Sequence, residues 1–233
     1  MIGGVVVGAI VIIAVAIAVS SGGGSSNASG LQTGTAANKT ATTVQSQLAG
    51  IPQSGAQLGN PKAPVTMTYY GDLQCPICQD FTLNGGFPEL VSKDVRAGKV
   101  KVVYRAFQTA TRDPTTFKNQ QVAALAAGEQ QRFWNYTELF YHEQGQEGTD
   151  YATEAYLAGL AKQIPGLKIS TWQSDRSNPA LANQIAADAQ TGNSLGISGT
   201  PTLVFRGPTG KTASPSTSVP SYAQLQQSIK QVT

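Results

Sequence analysis

The sequence predicts an α/β fold in which a run of helices is inserted into a small sheet. Three observations predict it. Two β-branched and aromatic runs, residues 64–70 and 100–107, flank a segment with helical apolar spacing, which makes a right-handed strand–helix–strand crossover with a parallel pair. From Thr115 to about Leu195, strand-like runs are absent, and Ala, Gln and aromatic residues dominate. A further strand then follows over residues 197–205, with a short one near 211–213 and a closing helix over 222–230.

Each element has a local reason. Gly59-Asn60-Pro61 makes a turn, after which Val65, Thr66, Thr68, Tyr69 and Tyr70 favour an extended chain that stops at Gly71-Asp72. Ile77, Phe81, Leu90, Val91 and Val95 carry helical spacing that Gly85-Gly86 interrupts, so one kinked helix or two short ones are expected before Gly98. Val100, Val102 and Tyr104 alternate with Lys99, Lys101 and Arg105 to give the second strand. In the insert, helices are expected over residues 120–127, 133–141, 151–164 and 179–190, the last presenting Leu181, Ile185 and Ala189 on one face. Leu225 and Ile229 give the closing helix its apolar pair.

The N-terminal part has a different composition. Residues 1–38 contain no Lys, Arg, Asp or Glu, and Lys39 is the single charge before Lys62. Residues 2–19 are almost unbroken aliphatic, long enough for a helix to cross a bilayer, which takes roughly 17 to 25 residues. Residues 1–20 are therefore expected to be a transmembrane anchor; a signal peptide is the competing reading, because Ala16-Ile17-Ala18 resembles a cleavage site. Residues 21–57, rich in Gly, Ser and Thr, are expected to be a flexible linker, with the catalytic domain at 58–233 and the helical insert at about 113–195. Lys39 and Lys62 lie after the apolar run and leave the orientation undecided. A net charge of +3 with mixed signs does not single out nucleic acid as a partner.

Both cysteines of the 233-residue chain lie in one motif, Cys75-Pro76-Ile77-Cys78, just after the first strand and at the head of a helix. A structural disulfide usually closes a longer loop, and a tetrahedral zinc site needs four ligands where the chain offers two thiols and His142. A redox dithiol is the reading left, with no metal and no cofactor. A disulfide-exchanging domain suits an oxidising compartment, which places it outside the membrane.

The order of elements resembles the thioredoxin fold with an inserted helical domain. The local motifs are similar to those of DsbA-like thiol:disulfide oxidoreductases, in particular the membrane-anchored bacterial branch. The matching residues are Gly59-Asn60-Pro61-Lys62-Ala63-Pro64-Val65, Gln74-Cys75-Pro76-Ile77-Cys78, the run from Gly98 to Arg105, Ala126-Ala127-Gly128-Glu129-Gln130, Phe133-Trp134 and Gly199-Thr200-Pro201-Thr202. The resemblance implies that the Thr200–Pro201 bond is cis and faces the dithiol. Thr200 and Pro201 would then form a substrate-binding edge, since proline has no N–H to occupy the adjoining backbone.

In this reading Cys75, at a helix N-terminus, is the low-pKa nucleophile and leaving group, and Cys78, one turn inside, is the buried resolving thiol. Pro76-Ile77 is the active-site dipeptide. Strong oxidants of the family often carry a histidine there; Ile77 can neither hydrogen-bond nor carry charge, so a less oxidising couple is expected. Relatives commonly have a buried acid six residues before the first cysteine, where this chain has Tyr69. Asp72 is expected on an exposed strand end, leaving proton transfer to water or to Asp72; the plainer reading makes Tyr69 core and Asp72 a turn residue.

The resemblance implies a monomeric oxidase of reduced secreted proteins, anchored by a single pass in the bacterial plasma membrane with its catalytic domain on the extracytoplasmic side. A membrane quinone-linked partner, vitamin K epoxide reductase-like or DsbB-like, would recharge it. A reductase or isomerase of the same fold is the nearest alternative. A Cu(I)-binding metallochaperone module is a more distant one, short of soft ligands beyond Met67 and His142. Gly210-Lys211-Thr212 reads as a turn and not a phosphate loop, His142 as a helix-surface residue, and Phe133 and Trp134 as core. Asn27, Asn38 and Asn135 stand in glycosylation triplets that matter only where the source glycosylates.

Overall fold

The structure is a computed structural model and describes residues 30–233. The expected anchor and the first part of the expected linker lie outside the described residues. Among the described residues no helix is long and apolar enough to cross a membrane.

A six-stranded sheet in the order β1-β2-β4-β3-β5-β6 forms the scaffold. Its centre is the parallel pair β3 (Val65–Gly71) and β4 (Val100–Ala106), in register from Val65 opposite Val100 to Gly71 opposite Ala106. On β4, Val100, Val102, Tyr104 and Ala106 are buried while Lys101, Val103 and Arg105 are half-buried, the period of two that the sequence alternation predicts. β5 (Thr202–Arg206) pairs antiparallel with β3, placing Leu203 opposite Tyr69, and β6 (Thr212–Ala213) follows as a short edge. The expected strand over 197–205 thus begins at Thr202. Residues before it turn instead, with the Thr202 hydroxyl donating to the Gly199 carbonyl at 2.7 Å.

The crossover between β3 and β4 contains two helices. α2 (Pro76–Leu83) ends before Gly85-Gly86, and α3 (Phe87–Leu90) runs on into a π-helical turn over Val91–Val95. Gly86 separates them for a packing reason. A Cβ there would sit 2.5 Å from the Tyr222 nitrogen, at the start of the closing helix α9 (Tyr222–Val232). α9 opens with a capping box between Ser221 and Gln224 and packs on β5, β6 and α3.

Five helices lie between β4 and β5: α4 (Pro114–Glu129), α5 (Phe133–His142), α6 (Glu154–Gln163), α7 (Ile169–Asp175) and α8 (Pro179–Ser194). This is the thioredoxin fold with a helical insertion that the sequence predicts. α4 is the insert's inner helix, with an unbroken buried run from Gln120 to Gly128. α8 is tied to the sheet by Asp188, which takes a hydrogen bond from the Arg105 guanidinium at 2.6 Å and another from the Ala106 N–H at 3.1 Å. Phe133 and Trp134 are fully buried in an aromatic cluster with Tyr69, Phe81, Phe87 and Tyr104, in which Phe87 stacks on Trp134 at 5.3 Å. The Trp134 indole N–H donates to the Ala56 carbonyl at 3.2 Å.

Part of the expected linker is folded. α1 (Gly34–Leu48) lies on α5, burying Ala37, Ala41, Val44 and Leu48, and β1 (Gln53–Ser54) with β2 (Gln57–Leu58) forms a hairpin that adds to the β4 edge. The four buried residues are spaced 4-3-4, a helical stripe, but Ala, Thr and Asn around them hide it from a compositional reading. Tertiary partners complete the helix. Arg96 donates to the Gln47 and Ala49 carbonyls at 2.7 Å each, satisfying the C-terminal end that α1 leaves open.

Candidate active site: the Cys75–Cys78 dithiol

β3 delivers the chain to the site, and the loop Asp72-Leu73-Gln74 turns it into α2. Cys75 is the N-cap of α2 and Pro76 its first residue, where a fixed φ suits the helix and a missing N–H costs nothing. The Cys75 sulfur therefore faces the open N–H groups of the first turn and accepts from the Cys78 N–H at 3.4 Å. Both cysteines are free thiols.

Their surroundings differ. Cys75 is 5% exposed and Cys78 fully buried. Cys75 is lowered to about 6, first because the Cys78 thiol hydrogen-bonds its sulfur, then through Thr200 and the N–H groups of Cys78 and Ile77, against burial, which opposes the shift. Cys78 is pushed well above the ordinary thiol value, first by burial and then by its hydrogen bond and charge interaction with Cys75. One sulfur is an anion at neutral pH while the other keeps its proton.

Across from the sulfurs lies the segment before β5. The Thr200–Pro201 bond is cis, as the resemblance implies, and in its protonated form the Cys75 thiol donates to the Thr200 carbonyl at 3.3 Å. The Thr200 and Thr109 hydroxyls hydrogen-bond each other, so this segment is also held from the loop after β4. Ile77 is 46% exposed beside Cys75; with Leu195 it is one of two exposed large hydrophobic residues among those described.

Asp72 departs from expectation. It is fully buried, not on an exposed strand end. Its carboxylate accepts from the N–H groups of Thr109, Ala110 and Thr111 at 2.9 Å, from the Gln74 N–H at 3.1 Å, from the Gln120 amide at 3.2 Å and from the Thr111 hydroxyl. It pins the loop carrying Thr109 against the loop carrying Cys75, a structural task. Its burial was illegible because the donors come from a loop 37 to 39 residues away. Gln144 was missed for the same reason: its amide clamps the Leu73 and Cys75 carbonyls at 2.7 and 3.2 Å from beyond α5.

Tyr69 is core, in keeping with the plainer sequence reading. Its hydroxyl donates to the Cys78 carbonyl at 3.2 Å and bonds to the Thr82 and Tyr141 hydroxyls at 3.1 and 3.4 Å. His142 ends α5 at an exposed position. No group of three or more His, Cys, Asp or Glu side chains among the described residues could hold a metal ion.

A thioredoxin-type sheet, a helix capped by one cysteine with its partner buried one turn in, and a cis-proline segment beside them define a thioredoxin-fold dithiol protein. The chain belongs to the thioredoxin family, whose model, described as "Thioredoxin", matches residues 53–228. Disulfide bond formation protein D of Bacillus subtilis is 27% identical over 151 residues, 63% of this chain; the match spans 65% of that relative's length, just under two thirds. The oxidised BdbD crystal structure from Bacillus subtilis shares the fold with a TM-score of 0.63 at 22% identity, covering 77% of this chain and 96% of that one. Wolbachia pipientis alpha-DsbA1 does so with a TM-score of 0.62 at 18% identity, covering 79% and 92%.

Proposed function

We propose that this chain is a thiol:disulfide oxidoreductase that forms disulfides in exported proteins through the Cys75–Cys78 pair. The observation that carries the reading is the inequality of the two sulfurs, one held near pH 6 at the cap of α2 and one buried and protonated. The relatives named for disulfide bond formation support the direction.

A substrate thiolate attacks Cys75 of the oxidised pair, the Cys75–Cys78 bond breaks, and Cys78 leaves and takes a proton. A second substrate thiolate then attacks the substrate sulfur of the mixed disulfide, and Cys75 leaves as the stabilised thiolate. Two electrons pass from substrate to the pair. Because the hydrogen bonds around Cys75 favour its thiolate, they stabilise the reduced form and make the disulfide oxidising. The edge at Thr200 and Pro201 receives the substrate backbone, with exposed Ile77 as an apolar shoulder.

In the same reading residues 2–19 anchor the domain, which works on the extracytoplasmic side as a monomer. A quinone-linked membrane partner of the DsbB-like or vitamin K epoxide reductase-like kind recharges it. The Cu(I) alternative is disfavoured because beyond the Cys78 thiol the partners of the Cys75 sulfur are the Thr200 carbonyl and a backbone N–H, not further soft ligands.

Trapping tests the proposal. Cys78→Ala is expected to accumulate mixed disulfides through Cys75 with reduced exported proteins, seen as a thiol-sensitive ladder on non-reducing gels. Absence of the ladder, together with stoichiometric Cu(I) binding by the native protein, would overturn it.

A further inference from the structure

A cavity apart from the dithiol holds an acid that no described residue pairs. Glu138, in the middle of α5, is 6% exposed and makes no hydrogen bond or ion pair with any described residue. It lines a cavity of about 380 Å³ enclosed by α5, the end of α2, α3 with its π-helical turn, and the end of α1. Leu83, Phe87, Pro88 and Val91 make the apolar wall. The volume lies within the range of small-molecule pockets, roughly 300 to 1,000 Å³. Neither cysteine lines it, and neither does the Thr200-Pro201 segment.

A carboxyl buried against apolar side chains without a partner is unfavourable, and the cationic side chains nearby do not relieve it. Arg96 shares the cavity, but its guanidinium donates to the Gln47 and Ala49 carbonyls at 2.7 Å each. Lys93 pairs with Glu89 of the cavity rim at 2.6 Å. His142, one turn on from Glu138 in α5, is lowered by partial burial and is uncharged at neutral pH. α1 and α2 bring only uncharged Gln47, Thr82 and Leu83, and the Thr82 hydroxyl is engaged with that of Tyr69. Glu138 is thereby left complementary to a cation from outside the chain.

We propose that this cavity binds a small organic cation, an aryl- or alkylammonium whose charge meets Glu138 and whose apolar body lies against Leu83, Phe87 and Val91. The inference stands apart from the exchange reading of Cys75 and Cys78. A neutral ligand would find only ordinary hydrogen bonds at the acid, whereas an ammonium makes a charge-assisted one within apolar walls, where it is stronger than in water. Burial alone raises Glu138 to about 8, so the acid of the free protein holds its proton at neutral pH. An arriving ammonium favours the carboxylate and expels that proton. Binding therefore strengthens as pH rises toward about 8 and levels off above it.

The test is calorimetric titration of the oxidised full-length protein, in which the dithiol does not titrate, with 2-phenylethylammonium and with its near-isostere 2-phenylethanol. The cation is expected to bind with a dissociation constant of about a millimolar or below, and the alcohol at least about tenfold more weakly. Between about pH 7 and pH 9 the cation's affinity should rise about tenfold, with proton release seen by comparing buffers of different ionisation enthalpy. Glu138→Gln should cost the cation at least about tenfold, abolish that rise and leave the alcohol unchanged. Leu83→Trp, which fills the cavity from a half-buried position, should weaken both probes and keeps the test open if Glu138→Gln fails to fold. No saturable binding of the cation by roughly 10 mM, an alcohol that binds as tightly as the cation, or full cation affinity in either variant would each overturn the proposal.

Discussion

Asp72→Ala is expected to destabilise the protein by about 3 to 4 kcal/mol, a large value for one side chain. The substitution strands the N–H groups of Gln74, Thr109, Ala110 and Thr111, together with the Thr111 hydroxyl and the Gln120 amide. A buried donor left without a partner costs roughly 1 to 3 kcal/mol, and solvent at the exposed Thr109 and the half-buried Ala110 returns part of that. A second readout separates this from a loss of packing. Thr109 would no longer hold the Thr200 hydroxyl in place, and with that contact loosened the Cys75 pKa should rise above about 6. Urea unfolding and thiolate absorbance against pH measure the two effects. A loss of under about 1 kcal/mol would show that water replaces the carboxylate, contrary to the role given to it here.

The second large effect is a pH-dependent gap in stability between reduced and oxidised protein. In the unfolded chain Cys75 has the ordinary thiol value of 9.0; in the folded protein it lies at about 6. A folded value below the unfolded one stabilises the native state fully above pH 9 and progressively less as pH falls to 6, below which the contribution is gone. Cys78 acts with the opposite sign, because its folded value is raised: above pH 9 the unfolded chain ionises it while the folded chain resists. The oxidised protein has neither group. The reduced form should therefore gain on the oxidised form between pH 6 and pH 9 by about 1 to 3 kcal/mol, after allowance for screening at the partly accessible sulfur. Denaturant unfolding of both forms at roughly pH 5.5 and pH 8.5 measures it, and an unchanged gap would show that Cys75 is an ordinary thiol.

The elements that could be read from sequence are those whose signal is local. β3 and β4 carry β-branched and aromatic residues, Gly98 has the positive φ of 71° expected where a helix ends, and Cys75-Pro76 is an N-terminal helix signal in itself. The site's chemistry was legible to the same degree, since a cysteine at a helix cap and another one turn inside are unequal on spacing alone. What stayed hidden depends on distant partners. α1 is held by α5 and by Arg96, 47 to 49 residues from the carbonyls it caps. Asp72 looks like any turn aspartate as an isolated letter, yet it is surrounded by donors from the loop after β4.

The central claim is that the thiolate-stabilising contacts around Cys75 make the Cys75–Cys78 disulfide an oxidant of other proteins. Equilibrating the protein with glutathione mixtures at pH 7, and reading the reduced fraction by thiol alkylation, tests it most directly. Four hydrogen-bonding groups favour the thiolate, and the Ile77 side chain adds no charge to it. The expected potential lies between about −220 and −120 mV, more oxidising than thioredoxin and short of the strongest DsbA-type oxidants. A value at or below about −270 mV would make the pair a reductant and contradict the account.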